Sequence, residues 1–313
     1  MDSYLVTGGA GFIGSHIVEL LVRRGARVRV LDNFMTGTRE NLAPFLGAIE
    51  LVEGDIRDLA TCRNAAAGVD SILHQAALAS VLRSVEDPIL ADAVNVAGTL
   101  NMLVAARDAG ARSFVLASSS AVYGDAPGLP QQEGEEGAPL SPYAAGKRAG
   151  EDYCRVFSSL YGLRTAALRY FNVFGPRQDP ASQYAAVIPH FIARMLRGEP
   201  PVIYGDGEQS RDFIYVGDVA EANLMAAAVP GLRGEAMNIA RGSGTTVNAL
   251  AARINAVLGT HIAPVHEATR PGDVRHSYAD ISVAAERLGF RPAVPFEEGL
   301  ERTIRWYRER RDA

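Results

Sequence analysis

A short apolar run, Tyr4-Leu-Val-Thr7, passes directly into Gly8-Gly-Ala-Gly-Phe-Ile-Gly14. The residues from Phe12 to Arg23 then place Ile13, Ile17, Leu20 and Leu21 at helical spacing. A strand, a glycine-rich turn and a helix in immediate succession admit few architectures. Glycine lets the backbone approach a pyrophosphate closely, and the amides at the helix N-terminus hold its charge. A second strand, Arg27-Val-Arg-Val-Leu31, ends in Asp32. An acidic side chain there is placed to bind the adenosine ribose and repel a 2′-phosphate, which favours NAD over NADP. Asp32 as a plain strand-end turn residue is the other reading.

The alternation continues, with strands expected at Ile49–Glu53, Ser71–His74, Ser113–Ala117 and Thr165–Tyr170. A long apolar helix is expected from Ile89 to Ala109. Repeated alternation of this kind implies an α/β fold with a doubly wound parallel sheet. The turn after the third strand offers Asp55 and Ile56, with Asp55 able to reach an adenine amino group. The turn after the fourth offers Gln75, Ala76 and Ala77, whose small side chains suit either a passing cofactor or close packing. Ser118-Ser-Ser120 lies where ligands bind in such sheets, although a serine run at a strand end is also ordinary turn chemistry. A proline- and glutamate-rich loop from Asp125 to Leu140 follows, at the edge where an active site would open.

Next comes Ser141-Pro-Tyr-Ala-Ala-Gly-Lys147. Ser141 suits a helix N-cap and Pro142 the first helical position. Tyr143 and Lys147 then sit one turn apart on one face. An ammonium beside a phenol stabilises phenolate, lowering the tyrosine pKa from about 10 toward neutrality and making a base. Of the 31 basic residues Lys147 alone is lysine. A site that needs a compact point charge resists replacement by arginine.

After Phe171 the composition shifts toward proline and glycine, with an amphipathic helix near 187–197, which marks a second unit. Residues 1–170 are expected to bind the dinucleotide. A segment near 212–240, with Asp212–Val216 and a helix from Val219 to Ala228, is expected to return to that sheet. Residues 171–313 form a smaller mixed α/β substrate domain.

A net charge of −5, with no basic cluster clear of acidic neighbours, argues against nucleic acid as a partner. Cys62 and Cys154 make neither a disulfide framework nor a zinc site, and the six histidines lack metal-ligand spacing, so no metal is expected. No signal peptide is evident and no apolar run approaches the eighteen residues of a membrane helix, so the chain is expected to be cytoplasmic and to have no membrane partner.

Thr7–Gly14, Asp32-Asn33, Ser118-Ser-Ser-Ala-Val-Tyr-Gly124, Tyr143-x-x-x-Lys147 and Arg169-Tyr-Phe-Asn172 together resemble the extended short-chain dehydrogenase/reductases. Within them the chain is most similar to the nucleotide-sugar 4-epimerases. Segments 74–81, 175–180, 205–213 and 270–277 carry that closer likeness. The resemblance implies a Rossmann domain holding NAD, a UDP-sugar substrate and a homodimer. It implies Tyr143 as base, Lys147 on the nicotinamide ribose and Ser119 on the sugar 4-hydroxyl, with Ser120 as runner-up. Gly8, Gly11, Phe12, Ile13, Gly14, Asp32, Asn33, Asp55, Ile56, Gln75, Ala76, Ala77, Asn95, Ala117 and Tyr170 complete the expected cofactor set. Ser80, Asn172, Val187, Tyr204, Arg211, Arg270, Asp273 and Ser277 complete the substrate set.

Departures from the family pattern narrow the chemistry. Dehydratases of this group carry an Asp-Glu pair and decarboxylases a Glu where this chain has Ser120 and Ala121, which leaves no acid to eliminate water. Ser277 stands where bulky residues exclude N-acetyl sugars, and Asp179 where uronate-specific relatives can carry an arginine. Ala79 replaces a lysine of some glucose-type members. The expected activity is a 4-epimerase of UDP-N-acetylglucosamine and UDP-glucose. A UDP-glucuronate epimerase, a nucleotide-sugar reductase and a non-catalytic dinucleotide sensor are the rivals.

Overall fold

The computed structural model describes residues 2–180, 187–269 and 274–311. Its strands, in chain order, are β1 (Ser3–Thr7), β2 (Arg27–Asp32), β3 (Ile49–Glu53), β4 (Ser71–His74), β5 (Ser113–Ser119), β6 (Arg164–Tyr170) and β7 (Val173–Phe174). They continue as β8 (Val202–Tyr204), β9 (Ser210–Arg211), β10 (Ile214–Tyr215), β11 (Glu235–Ile239), β12 (Thr245–Thr246), β13 (Val265–Glu267) and β14 (His276–Ser277). The helices are α1 (Phe12–Arg23), α2 (Leu59–Ala66), α3 (Val81–Glu86), α4 (Pro88–Asp92), α5 (Thr99–Asp108) and α6 (Pro142–Tyr161). After them come α7 (Val187–Leu196), α8 (Val216–Ala228), α9 (Val247–Leu258), α10 (Ser282–Leu288) and α11 (Phe296–Arg311).

Seven strands form one parallel sheet in the order β11-β6-β5-β4-β1-β2-β3. Both faces are covered, so its strands are apolar throughout rather than alternating with polar residues. Leu5, Leu31, Ile72, Phe114 and Leu116 point to the side of α2, α5 and α6. Val6, Val30, Leu73, Val115 and Leu168 point to the side of α1 and α8. The order reverses between β1 and β4, which opens a crevice at the carboxyl ends of those strands. Everything in the site is arranged around that crevice.

The expected strands form, and the predicted start of α6 holds. Ser141 Oγ accepts the Ala144 N–H at 3.1 Å, Pro142 is the first helical residue, and Gly162 ends the helix at φ +71°. Three expectations need correction. The return to the main sheet is not Asp212–Val216: β10 pairs with β7 in a separate two-stranded sheet. The seventh strand is instead β11, paired in parallel with β6 and inside the expected 212–240 return segment; no strand was read there because Glu235-Ala-Met-Asn-Ile is short and opens on polar, small residues.

The long helix is not uniform either. Between α4 and α5, residues Ala93–Gly98 form a wider π turn, a feature often found beside functional sites. The same stretch overturns the statement about apolar runs. Pro88–Asp108 is long and apolar enough to cross a membrane by length and composition. Half of it is buried within the fold, where α5 packs on α2 and the π turn on α6, so packing accounts for that half.

The second unit has its own core, built from α7, α9 and α11 around Phe174, Phe213, Tyr215 and Phe296. Beside it, β9 lies between β12 and β14. The Asp125–Leu140 loop is fastened to that side through Gln131 N–H, which donates to Tyr278 O at 2.8 Å, and to the main sheet through Glu133, which accepts the Asn238 N–H of β11 at 2.7 Å.

His74, at the end of β4, is 1% exposed. Its Nδ1 lies 2.8 Å from Thr7 Oγ1 and its Nε2 3.1 Å from Thr99 Oγ1. Thr99 donates its own hydroxyl proton to Asn95 O at 2.7 Å, so His74 Nε2 carries the ring proton and Thr7 donates to Nδ1. Burial and, to a lesser degree, the Lys147 charge hold the imidazole near pKa 3 against 6.5. The neutral ring therefore stabilises the fold fully above about pH 6.5, and that contribution is lost as pH falls toward 3. His16, also held near 3 by burial first, acts in the same sense. Thermal melts from pH 7.5 to 5 are expected to show falling stability. A His74→Gln variant should lose on the order of 2 kcal/mol less over that range than the wild type; equal slopes would remove His74 as a contributor.

Candidate functional site

The crevice is shaped first by glycine. Gly8 follows β1 at φ +67°, and a Cβ there would stand 2.7 Å from the Ala76 backbone nitrogen. A Cβ on Gly14 would stand 2.1 Å from Gly8 O. Two chain segments thus approach more closely than any side chain allows, and Gly11 caps the N-terminus of α1 with no side chain in the way. Phe12 and Ile13 continue the lining.

Asp32, 7% exposed, ends β2. Its carboxylate accepts the Ala10 N–H at 2.9 Å and the Phe34 N–H at 2.8 Å. Burial raises its pKa, and those two backbone bonds oppose the rise. Each oxygen keeps acceptor capacity for a hydroxyl. Asn33 and Ile56 line the same end. Asp55, also there, is held to about 2 by Arg57 hydrogen bonding before any other cause, and Asn33 Nδ2 donates to it at 2.8 Å.

The floor is Gln75-Ala76-Ala77. Thr7 Oγ1 accepts the Ala76 N–H at 3.2 Å, and Gln75 Oε1 accepts the Tyr170 hydroxyl at 3.1 Å. Asn95 does not line this crevice. Exploiting the π turn, its amide pairs with the Leu78 backbone, accepting the N–H at 2.8 Å and donating to the C=O at 3.3 Å. It holds the floor in place. Leu31, Met35, Thr36, Gly54, Ala79, Val94 and Ser118 also line the crevice; of these, Ser118 and Ala79 were visible as part of a motif, and the rest carried no sequence signal.

Tyr143 and Lys147 both face the crevice, as does Ala117. Ser119 stands close enough to the Tyr143 phenol to oppose the rise in its pKa, which selects it over Ser120, a member of the short turn that follows. The electrostatics differ from expectation. Burial raises the Tyr143 pKa, and only Ser119 opposes it. The Lys147 ammonium lies 5.8 Å from the tyrosine ring centroid and donates to Ala117 O at 2.8 Å, turned along β5 rather than onto the phenol oxygen. Burial, partly offset by Glu151, brings Lys147 down to about 8. Ser84 was missed: its buried Oγ accepts the Tyr143 N–H at 3.1 Å and fixes the first turn of α6 to α3.

On the substrate side, β9 and β14 set Arg211 directly beside Ser277. Asn172 Nδ2 donates to Asp212 O at 3.1 Å, and Ser277 Oγ donates to Gln131 Oε1 at 3.3 Å, so these segments form one connected wall. Tyr204 ends β8, paired with Glu267. Ser80 caps α3 by accepting the Arg83 N–H at 3.2 Å. Val187 opens α7 and packs on the second core. Arg270 and Asp273 lie outside the described residues. Among the described residues no cluster of metal-ligating side chains is present.

The model of the NAD dependent epimerase/dehydratase family matches residues 4–240. The chain belongs to that family. It is 40% identical over 310 residues to the UDP-glucose 4-epimerase of Mycolicibacterium smegmatis, covering 98% of each chain. It matches the structure of UDP-N-acetylglucosamine 4-epimerase from Methanobrevibacter ruminantium, solved with UDP-N-acetylmuramic acid, at TM-score 0.94 and 43% identity over 99% of both chains. Thermus thermophilus UDP-glucose 4-epimerase, solved with NAD, matches at TM-score 0.88 and 40% identity over 98% of this chain and 99% of that one. These matches bear out the short-chain dehydrogenase/reductase likeness, and NAD is the cofactor.

The crevice fits NAD on its own chemistry: a glycine cradle at a helix N-terminus suits the pyrophosphate, and a buried carboxylate 18 residues beyond Gly14 suits the ribose. Asp32→Ala is expected to weaken NADH binding at least about ten-fold while NADPH binding weakens less or improves, read by fluorescence titration. Parallel losses for both cofactors would show that Asp32 does not discriminate between them.

Proposed function

We propose that this chain is an NAD-dependent 4-epimerase of UDP-hexoses that interconverts UDP-N-acetylglucosamine with UDP-N-acetylgalactosamine, and UDP-glucose with UDP-galactose. The observation that carries this reading is the Tyr143 phenol facing the dinucleotide crevice with Ser119 beside it, and no carboxylate at Ser120 or Ala121. Proton transfer at a hydroxyl is supplied there; elimination of water is not.

When bound, NAD supplies the hydride acceptor and donor at C4. The chain supplies the rest. Tyr143 takes the proton from the 4-hydroxyl as C4 is oxidised, and returns it when the 4-keto sugar is reduced on its other face. Ser119 steers that oxygen from its place beside the phenol. Since burial alone keeps Tyr143 protonated, it becomes a base only as positive charge gathers beside it, and Lys147 is the part of that charge the chain provides. Arg211 and Asn172 are assigned to the diphosphate end, where charge-assisted bonds are strong enough to hold the nucleotide while the sugar turns. Ser277 leaves space beside the sugar for an N-acetyl group.

A homodimer is part of the proposal. Leu82, Val85 and Ile89 on α3 and α4, with Val156 and Leu160 on α6, are exposed large apolar side chains on helices packed against one another. Such a patch marks an interaction face. Sedimentation is expected to give twice the 33.4 kDa chain mass; a 33.4 kDa species at micromolar concentration would remove the dimer.

Purified protein with no added NAD is expected to convert UDP-N-acetylglucosamine to its 4-epimer, followed by proton NMR of the anomeric signals. Tyr143→Phe should lower the rate by at least about a thousand-fold while bound NAD remains. Turnover that requires added NADPH would instead identify a reductase.

A further inference from the structure

The line of functional side chains on α6 does not stop at Lys147. Glu151 stands one turn further along the same face, and its side chain is fully buried. Three consecutive residues of β5 meet these three helix positions. Ser119 stands beside the Tyr143 phenol, Ala117 O accepts from Lys147 at 2.8 Å, and Ser118 Oγ donates to Glu151 Oε1 at 2.5 Å. On its far side Glu151 receives a two-pronged Arg169 guanidinium, at 2.9 Å from Nε and 2.7 Å from Nη2. Arg169, 2% exposed, also pairs with Glu136 at 2.5 Å and donates to the Tyr123 hydroxyl at 3.1 Å.

The charge count of this cluster is uneven. Glu151 and Glu136 both pair with Arg169, and Glu133 also feels its charge, so carboxylates outnumber the one guanidinium behind the catalytic helix. One turn back along α6, Lys147, 6% exposed, gives its own hydrogen bond to a neutral carbonyl. The other ionisable groups around it are Tyr143 on its own helix, His74 on β4, and Tyr170 and Arg169 on β6. Of these His74 and both tyrosines are neutral at pH 7, and Arg169 is spoken for.

We propose that Glu151 is a positioning residue with two tasks: it locks α6 in register on β5 through Ser118, and it is the counter-charge that keeps the Lys147 ammonium protonated. This deepens the epimerase reading and rests on it for the role of Lys147, but the test does not depend on turnover. A buried ammonium with no negative charge nearby gives up its proton, as burial already inclines Lys147 to do, and the Glu151 charge opposes that loss. A full charge one helical turn away is felt strongly enough to move a buried titration by about one pH unit.

Because Lys147 is the sole lysine, the protein grown with lysine labelled with carbon-13 at Cε shows a single side-chain resonance that titrates with the ammonium itself. The holoenzyme is titrated as the wild type, Glu151→Asp, Glu151→Gln and Ser118→Ala. The lysine midpoint is expected to fall by about one pH unit in Glu151→Gln, and to stay within about 0.3 unit of wild type in Glu151→Asp, which restores the charge. In Ser118→Ala, where the carboxylate is released from β5 toward Arg169, it should fall by a smaller amount. If Glu151→Gln does not fold, the Ser118→Ala shift decides the matter. A midpoint that stays at the wild-type value in every folded variant would overturn the proposal, leaving Glu151 as a partner of Arg169 alone. Absence of epimerisation by the wild type would overturn the activity and leave this titration readable.

Discussion

Tyr143, Lys147 and Glu151 lie along one edge of α6 and meet three neighbouring residues of β5, Lys147 and Glu151 through hydrogen bonds. The rest of the molecule depends on that seam. The β5 carbonyl that accepts the Lys147 hydrogen bond belongs to a strand pinned on both sides by β4 and β6. The helix is set in rotation by Ser141 and Ser84 at its start and by the glycines that face its neighbours, with a Cβ on Gly150 standing 3.0 Å from Leu116. A helix free to slide by one residue would turn the phenol about 100° away from the crevice. A strand that shifted would present the wrong face.

The opposite wall is built differently, by subtraction of side chains. Gly8 and Gly14 let β1, the Gln75–Ala77 floor and α1 close to backbone distance. Thr7 links that floor to His74, which links in turn to Thr99 and the Asn95 carbonyl, so the crevice floor, β4 and the π turn move as one piece. Rigidity is what both walls share. A reaction that moves a proton and a hydride through sub-ångström distances needs both reacting partners held before the chemistry begins.

Much of this was legible in the residues. The glycine spacing, Asp32 and the Ser-Pro-Tyr-x-x-x-Lys run announce themselves because each needs particular residue types at fixed local spacing, and local spacing survives folding. What escaped was non-local. Ser84 reaches Tyr143 across 59 residues, and nothing near Ser84 distinguishes it from an ordinary helical serine. Glu151 reads as a surface glutamate until Arg169, eighteen residues on, is seen to bury it. The Tyr143–Lys147 electrostatics were misjudged for a related reason: one-turn spacing puts the two side chains on one face, but the direction of the lysine is set by Ala117, a β5 residue. Asn95 was assigned to the cofactor and serves the floor instead, because the π turn redirects it.

The position of β11 has a consequence for how the chain is made. It closes the sheet beside β6, yet it lies at residues 235–239 of 313, after α7, α8 and four short strands that pair elsewhere. A ribosome emitting this chain exposes β6 as a bare hydrogen-bonding edge until about three-quarters of the polypeptide has emerged. During that interval the growing sheet is open to pairing with a neighbouring nascent chain. Residues 171–234 thus act as a delay in synthesis as well as a platform for the second unit, and the burden of protecting that edge falls on whatever receives the chain as it leaves the exit tunnel.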